Sequence, residues 1–211
     1  MRLLLLLLFS SFLLAGCAGS LLPPPAPAPQ QWLLKRLPSP TQESVPKLAT
    51  SQFNQNLPSQ GIFLAIERPT APMPLRGREI WYRSNQHQLS PFGEQVWAES
   101  LDQQIQQRLS DFLGQQAWLA SSLPDQPGYR SAYRLRITLQ EWYLNTATQQ
   151  LDIAVQINLL DTTGRSLLQQ HWVAKPAVTE LTAAGMLQAS QAWLEEWAIE
   201  VAVLLRKKLD Q

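Results

Sequence analysis

Two stretches of the chain alternate between apolar and polar residues. Tyr133, Leu135, Ile137 and Leu139 alternate with Arg134, Arg136, Thr138 and Gln140; Leu151, Ile153, Val155, Ile157 and Leu159 alternate with Asp152, Ala154, Gln156 and Asn158. A period of two predicts strands with one buried and one wet face. Asp161-Thr162-Thr163-Gly164 reads as a tight turn, and the following "RSLLQQHWVA" returns as the partner strand, completing a meander. A different period marks residues Glu94 to Leu113. There Trp97, Leu101, Ile105 and Leu109 recur every four positions, joined by Phe112 and Leu113, while Gln103, Gln104, Gln106, Gln107 and Arg108 lie off the stripe. This spacing predicts an amphipathic helix ending at Gly114. A second, longer helix is predicted from Ala183 to Leu209, with Leu187, Leu194, Trp197, Val201 and Leu204 on one side and Arg206, Lys207 and Lys208 complementing its C-terminal dipole.

Upstream, "QWLLKRL" (31–37), "GIFLAIE" (61–67) and "REIWYR" (78–83) read as strands, with a short fourth in "QHQLSP" before Pro91. "APMPLRG" reads as a turn-rich break, "AWLAS" as a brief strand and "LPDQPG" as a loop. Strands and two main helices in this order predict an α+β domain, a mostly antiparallel sheet carrying both helices on one face.

The N-terminus follows neither period. Arg2 precedes an almost wholly apolar run from Leu3 to Leu14, and Ala15-Gly16 supplies small residues for signal-peptidase cleavage. About a dozen apolar residues fall short of the roughly 20 that span a bilayer. Leu14-Ala15-Gly16-Cys17 has the form of the bacterial lipobox, in which the cysteine receives a diacylglycerol thioether and, after cleavage, a further acyl chain such as palmitate. Cys17 is the only cysteine of the chain, so its acylation leaves no thiol for a disulfide. Several acyl chains on one residue meet the requirement for stable anchoring. Pro23, Pro24, Pro25, Pro27 and Pro29 then favour an extended polyproline II tether. At about 3.1 Å per residue, residues 18–30 reach roughly 40 Å. The predicted layout is a signal peptide over residues 1–16, a lipidated Cys17 with its tether over 17–30, and a single domain over 31–211.

With 45% hydrophobic residues and eight tryptophans, the chain has ample material for one core. Its net charge of +1 argues against a nucleic-acid partner. No phosphate loop, dinucleotide fingerprint or nucleophile elbow is present. His87 and His171 lie far apart in sequence, and His171, beside Trp172 in a strand, is expected to face solvent. The Asp161 turn superficially matches an aspartic-protease loop, but Asp and Gly are favoured at those turn positions anyway. Glu99 and Asp102 lie one helical turn apart, as on a solvated helix surface. Trp97 and Trp197 fall on helical stripes and read as core. The sequence therefore reads as non-enzymatic, without a cofactor or metal site.

The segment "REIWYRSNQHQLSPFGEQVWAESLDQQIQQRLSDFL", with its Trp81-Tyr82-Arg83 step and its Trp97 followed four positions on by Leu101, resembles the ABC-type transport auxiliary lipoprotein family, which includes the lipoprotein of the paraquat-inducible system. "YRLRITLQEW", "LDIAVQINLLD" and "LLQQHWVA" are similar to its later strands, whereas the region before residue 61 is longer and richer in Pro and Gln. The resemblance implies a non-catalytic envelope protein. Its partners would be an MCE-domain protein and the ABC transporter that moves lipids with it between the two membranes. Ala18 stands where an Asp would retain a lipoprotein at the inner membrane, which points to the periplasmic face of the outer membrane. Two other classes stay open: a stand-alone lipid-binding lipoprotein, and one that supports an outer-membrane barrel. A homo-oligomer stays open as well, and no partner-contact residue is assigned.

Overall fold

The computed structural model describes residues 27–39, 61–85 and 87–210; the signal segment, Cys17 and most of the proline tether lie outside the described residues. In chain order the elements are β1 (Gln30–Trp32), β2 (Phe63–Ile66), the short helix α1 (Met73–Arg76), β3 (Glu79–Asn85), β4 (Gln88–Trp97), α2 (Leu101–Leu113), β5 (Ser121–Pro124), β6 (Tyr133–Asn145), β7 (Gln150–Asp161), β8 (Ser166–Ala174) and α3 (Ala183–Leu209). The domain is α+β, and its sheet is open and mixed. The pairings β3–β4, β6–β7 and β7–β8 are antiparallel, while β1–β4, β2–β5, β2–β6 and β3–β6 are shorter and parallel.

β6 is the hub of this sheet. One of its edges carries β7 along almost its whole length. The other is shared: β2 pairs at Tyr133–Leu135, β3 pairs at Leu144–Asn145, and Thr70 bridges to Thr138 between them. The Thr70 amide donates to the Ile137 carbonyl at 2.9 Å, and the Leu139 amide donates to the Thr70 carbonyl at 2.8 Å. The β6–β7 register slips between Leu139 and Glu141, leaving Gln140 as an extra residue. Such a bulge reverses the alternation beyond it. Leu135, Ile137 and Leu139 point into the core before it; Trp142 and Leu144 do so after it. β7 has no bulge against this stretch of its own, and Leu151, Ile153, Val155, Ile157 and Leu159 all face inward.

Both main helices bury their stripes in this same core. On α2 the buried apolar residues are Leu101, Ile105, Leu109, Phe112 and Leu113. On α3 they include Ala183, Met186, Leu194, Trp197, Val201 and Leu205, whereas Leu187 and Leu204 are only half-buried. The Trp142 indole donates to the Ser190 hydroxyl at 3.0 Å, both groups buried, and so pins α3 to β6. Thr182 caps α3 by accepting from the Gly185 amide at 3.1 Å. Gly185 has no room for a side chain, because a Cβ there would lie 2.2 Å from the Glu180 carbonyl oxygen. The β7–β8 turn uses Gly164 at φ +82°, with the Asp161 carboxylate accepting from the Thr163 and Arg165 amides at 2.9 and 3.0 Å.

Several expectations are corrected: "APMPLRG" holds the short helix α1, and the strand expected in "AWLAS" runs instead over Ser121–Pro124; two further corrections concern longer segments. Glu94–Trp97 is strand, not the first turn of a helix: β4 runs through Pro91 to Trp97, and α2 begins at Leu101. Tertiary bonds override the four-residue spacing here. The Trp97 amide donates to the Arg78 carbonyl at 2.6 Å, and the next amide, on Ala98, donates to Trp32 at 2.7 Å. Pro91 is tolerated because β1 covers only Gln95–Trp97, leaving β4 at the sheet edge where the proline sits. The second correction concerns 31–37, where strand pairing stops at Trp32. From there the chain becomes a strap lying along both helices. The Leu34 amide donates to Gln104 Oε1 at 2.8 Å, the Lys35 amide donates to Gln191 Oε1 at 2.8 Å, and Arg108 Nε donates to the Leu34 carbonyl at 3.0 Å. Leu34 and Leu37 are buried beneath the strap.

Trp97 is only 2% exposed, so its place in the core survives its move from helix to strand. Trp97→Ala is expected to lower unfolding stability by about 3–5 kcal/mol, measured as the shift of a urea midpoint at constant slope. A midpoint equal to that of the native protein would contradict this burial.

Candidate functional site

The Trp81-Tyr82-Arg83 step lies on β3, where that strand meets the far end of β6. Tyr82 pairs with the inward Leu144, and its ring lies 4.9 Å from that of Phe92. Arg83 pairs with Asn145 and so points to the opposite, helix-free face. The bulge at Gln140 sends Tyr143 to that face too, directly across from Asp152 of β7. The result is a compact polar cluster. The Arg83 guanidinium lies over the Tyr143 ring, 4.3 Å from its centroid, and donates to the Tyr143 hydroxyl. Its other nitrogen is 3.9 Å from Asp152 Oδ2, which also accepts from Asn145 Nδ2 at 3.0 Å. The Arg83 carbonyl accepts from the amide and hydroxyl of Thr146 at 3.0 and 3.1 Å.

Asp152 is 4% exposed, and its Oδ1 has no hydrogen-bond partner. Arg83 retains 28% side-chain exposure and is the cluster's outlet to solvent. An arginine held by an aromatic face, a hydroxyl and a carboxylate is pre-organised to present its remaining donors. Burial is the main cause that raises the Tyr143 pKa well above its ordinary 10.0; the Glu141 carboxylate adds to it, and Arg83 opposes it more weakly. Tyr143 is therefore neutral at any ordinary pH and does not act as a base. β7 was legible as a strand, but not the pairing of its Asp152 with Arg83 and Tyr143. The one sequence signal was the broken alternation at "QEWY" in β6.

The other residues singled out from the sequence do not converge. His87 lies in the β3–β4 turn; His171 is exposed on β8, its Nε2 3.0 Å from Gln140 Oε1. Glu99 is exposed, but Asp102 is not on a solvated surface: it is 5% exposed, with Arg68 Nε 2.6 Å from its Oδ2. Its place in the first turn of α2 also suits the helix dipole. Asp161 serves the turn, and its pKa is lowered chiefly by the Thr163 hydroxyl. Among the described residues no cluster of three His, Cys, Asp or Glu could hold a metal, and no helix is long and apolar enough to cross a membrane. A shallow, mostly apolar groove of about 250 Å³ runs between the strap and α3, lined by Leu33, Lys35, Leu187, Gln191 and Glu195.

The raised Tyr143 pKa has a definite sign. Below pH 10.0 the phenol is neutral in both folded and unfolded chains. As the pH rises through that value the unfolded chain gives up the proton first, so stability is lost progressively toward the higher folded pKa. Tyr143→Phe keeps the ring beneath Arg83 and removes the proton. Its melting temperature is expected to fall less than that of the native protein between neutral and alkaline pH; equal falls would show that Tyr143 does not contribute.

Comparison with known proteins bears on the whole domain. No curated protein matches the chain significantly. A solved structure of a DUF330-family protein from Xanthomonas campestris is similar, with a TM-score of 0.67 at 15% identity, covering 88% of this chain and 98% of that one. A second, of an uncharacterized protein, has a TM-score of 0.63 at 15% identity, covering 85% of this chain and 99% of that one. At these identities the likeness concerns the fold alone. The family model of the ABC-type transport auxiliary lipoprotein component matches residues 45–202, a span that takes in β2 through most of α3. The chain belongs to the ABC-type transport auxiliary lipoprotein component family.

Proposed function

We propose that the protein is the auxiliary lipoprotein of an MCE-type ABC lipid transport system, acting as a non-catalytic binding partner of the MCE-domain protein. The observation that carries this reading is the family match across residues 45–202. A subunit auxiliary to a transporter acts through contact, and the domain offers contact surfaces: the Arg83 cluster on the outer face and the shallow groove beside α3. In this reading residues 1–16 direct export and Cys17 carries the lipid. Residues 17–30 are the tether, and the domain from residue 31 works at the periplasmic face of the outer membrane. The address follows from Ala18, which lacks the acidic side chain of inner-membrane retention.

Two measurements test the reading separately. Cys17→Ser is expected to abolish incorporation of labelled palmitate and to leave the precursor uncleaved; a mature, detergent-partitioning Cys17→Ser protein would place the anchor elsewhere. For the partner, the native lipidated chain, extracted in mild detergent, is expected to retain the MCE protein encoded with it, and Arg83→Ala to weaken that retention. Failure of the native chain to retain it, with lipid co-purifying in the domain itself, would instead favour a stand-alone lipid carrier.

A further inference from the structure

A cleft of about 280 Å³ lies between the β2–α1 connection and the first turn of α2, lined by Arg68, Pro69, Thr70, Ala71, Arg76 and Asp102. It shares no residue with the Arg83 cluster or with the groove beside α3. Pro69 and Ala71 are buried and give it an apolar floor. The polar groups around that floor are held in place, yet part of their bonding capacity is unused.

Each arginine is fixed along one edge. Arg68 Nε donates to Asp102 Oδ2 at 2.6 Å, and its Nη2 donates to the Ser100 hydroxyl at 3.2 Å. Arg76 Nε donates to the Ala71 carbonyl at 2.6 Å. A guanidinium carries five N–H donors in a rigid fork, so both side chains keep donors for a further acceptor. Arg134, Arg136 and Arg165 are each matched by a carboxylate, whereas among the described residues no carboxylate lies within ion-pair reach of Arg76. The Ser100 hydroxyl, engaged by Arg68, makes no capping bond to α2, so the amides of that first turn add partial positive charge at the same rim. Opposite these donors stands one unused acceptor. Asp102 is 5% exposed, and its Oδ1 has no hydrogen-bond partner. A buried acceptor left without a donor is costly.

The cleft therefore suits a group that is anionic at one end and carries N–H donors at the other. A carboxylate has two oxygens, which a single arginine fork occupies. A phosphate ester has oxygens enough to accept from both Arg68 and Arg76. An ammonium joined to it by a short carbon chain would reach Asp102, with the carbons resting on Pro69 and Ala71. We propose that this cleft binds a phosphoethanolamine group, its phosphate between Arg68 and Arg76 and its ammonium on Asp102 Oδ1.

The site needs no MCE protein, so its test stands apart from that of the transporter reading. Calorimetric titration of the native lipidated chain, in mild detergent, is expected to show glycerophosphoethanolamine binding at one site. Glycerophosphocholine, whose nitrogen has no N–H, is expected to bind about tenfold or more weakly, the size of one charge-assisted hydrogen bond. Arg76→Gln is expected to weaken glycerophosphoethanolamine by a similar factor at an unchanged melting temperature. Asp102→Asn is expected to bind both esters alike; the two esters on the native chain test the same contact without altering the protein. Displacement of the soluble ester by phosphatidylethanolamine in mixed micelles would support the site with a membrane lipid as its source. A soluble ester that binds and is not displaced would support it with a small soluble ester as the source. No binding of glycerophosphoethanolamine, equal affinity of the native chain for the two esters, or native affinity in Arg76→Gln overturns the proposal.

Discussion

A single extra residue in β6 decides which side chains enter the core. Were Gln140 paired regularly instead of bulged, the alternation would continue unbroken, and Glu141, Tyr143 and Asn145 would point at the helices while Trp142 and Leu144 faced water. Trp142 is the fully buried group that binds Ser190 of α3, so the docking of the longest helix depends on the bulge. So does the outer face, because Tyr143 meets Arg83 and Asp152 only with the reversed parity. The bulge lies just beyond the Thr70 bridge and ahead of the β3 pairing, between the two partners sharing that edge of β6. One local irregularity thus sets the hydrophobic layer, the helix contact and the polar cluster together.

The outer face carries several charges, most of them matched. Arg136 pairs with Glu67, Arg134 with Asp125, Arg83 with Asp152 and Arg165 with Asp161. Exposed pairs of this kind add little stability, and with a net charge of +1 they project little field. A partner meeting this surface would therefore find shape and fixed donors at short range rather than long-range attraction. This matches a subunit whose family role is to accompany a transporter.

What was legible in the sequence was whatever a single local rule governs. β7 could be read as a strand because Leu151 to Leu159 alternate into the core with no bulge in that stretch, although Asp152 and Ala154 on its other face are buried as well. α3 was bounded at Ala183 and Leu209, with its basic last turn, while the Thr182 cap became visible only in the structure. The DTTG turn could be read from its Asp and Gly. Where distant residues decide, local rules failed. Trp97 stands four positions before Leu101, which imitates a helix turn, yet its amide is bonded to Arg78, just ahead of β3, and the next amide, on Ala98, to Trp32, which ends β1. Asp102 has the polarity of a surface residue and is buried because Arg68, remote in sequence, reaches it. Residues 31–37 read as a strand, but beyond Trp32 the Leu34 amide and carbonyl are claimed by Gln104 and Arg108 of α2 and the Lys35 amide by Gln191 of α3. The Arg83 cluster draws on three strands, and its geometry follows from a bulge that no single-strand pattern announces.

The strap between Trp32 and Ser39 also determines how the domain bears mechanical load. Any pull on the chain ahead of Gln30 enters at β1, whose three residues run parallel to β4. A force along that strand strains its hydrogen bonds side by side, in shear, instead of peeling them off one at a time. Behind them stand the bonds of Leu34 and Lys35 to Gln104 and Gln191, which pass tension to both main helices at once. The buried Leu34 and Leu37 would have to be drawn into water before the strap could lift. The leading chain is thus fastened twice over, first to the edge of the sheet and then to both main helices.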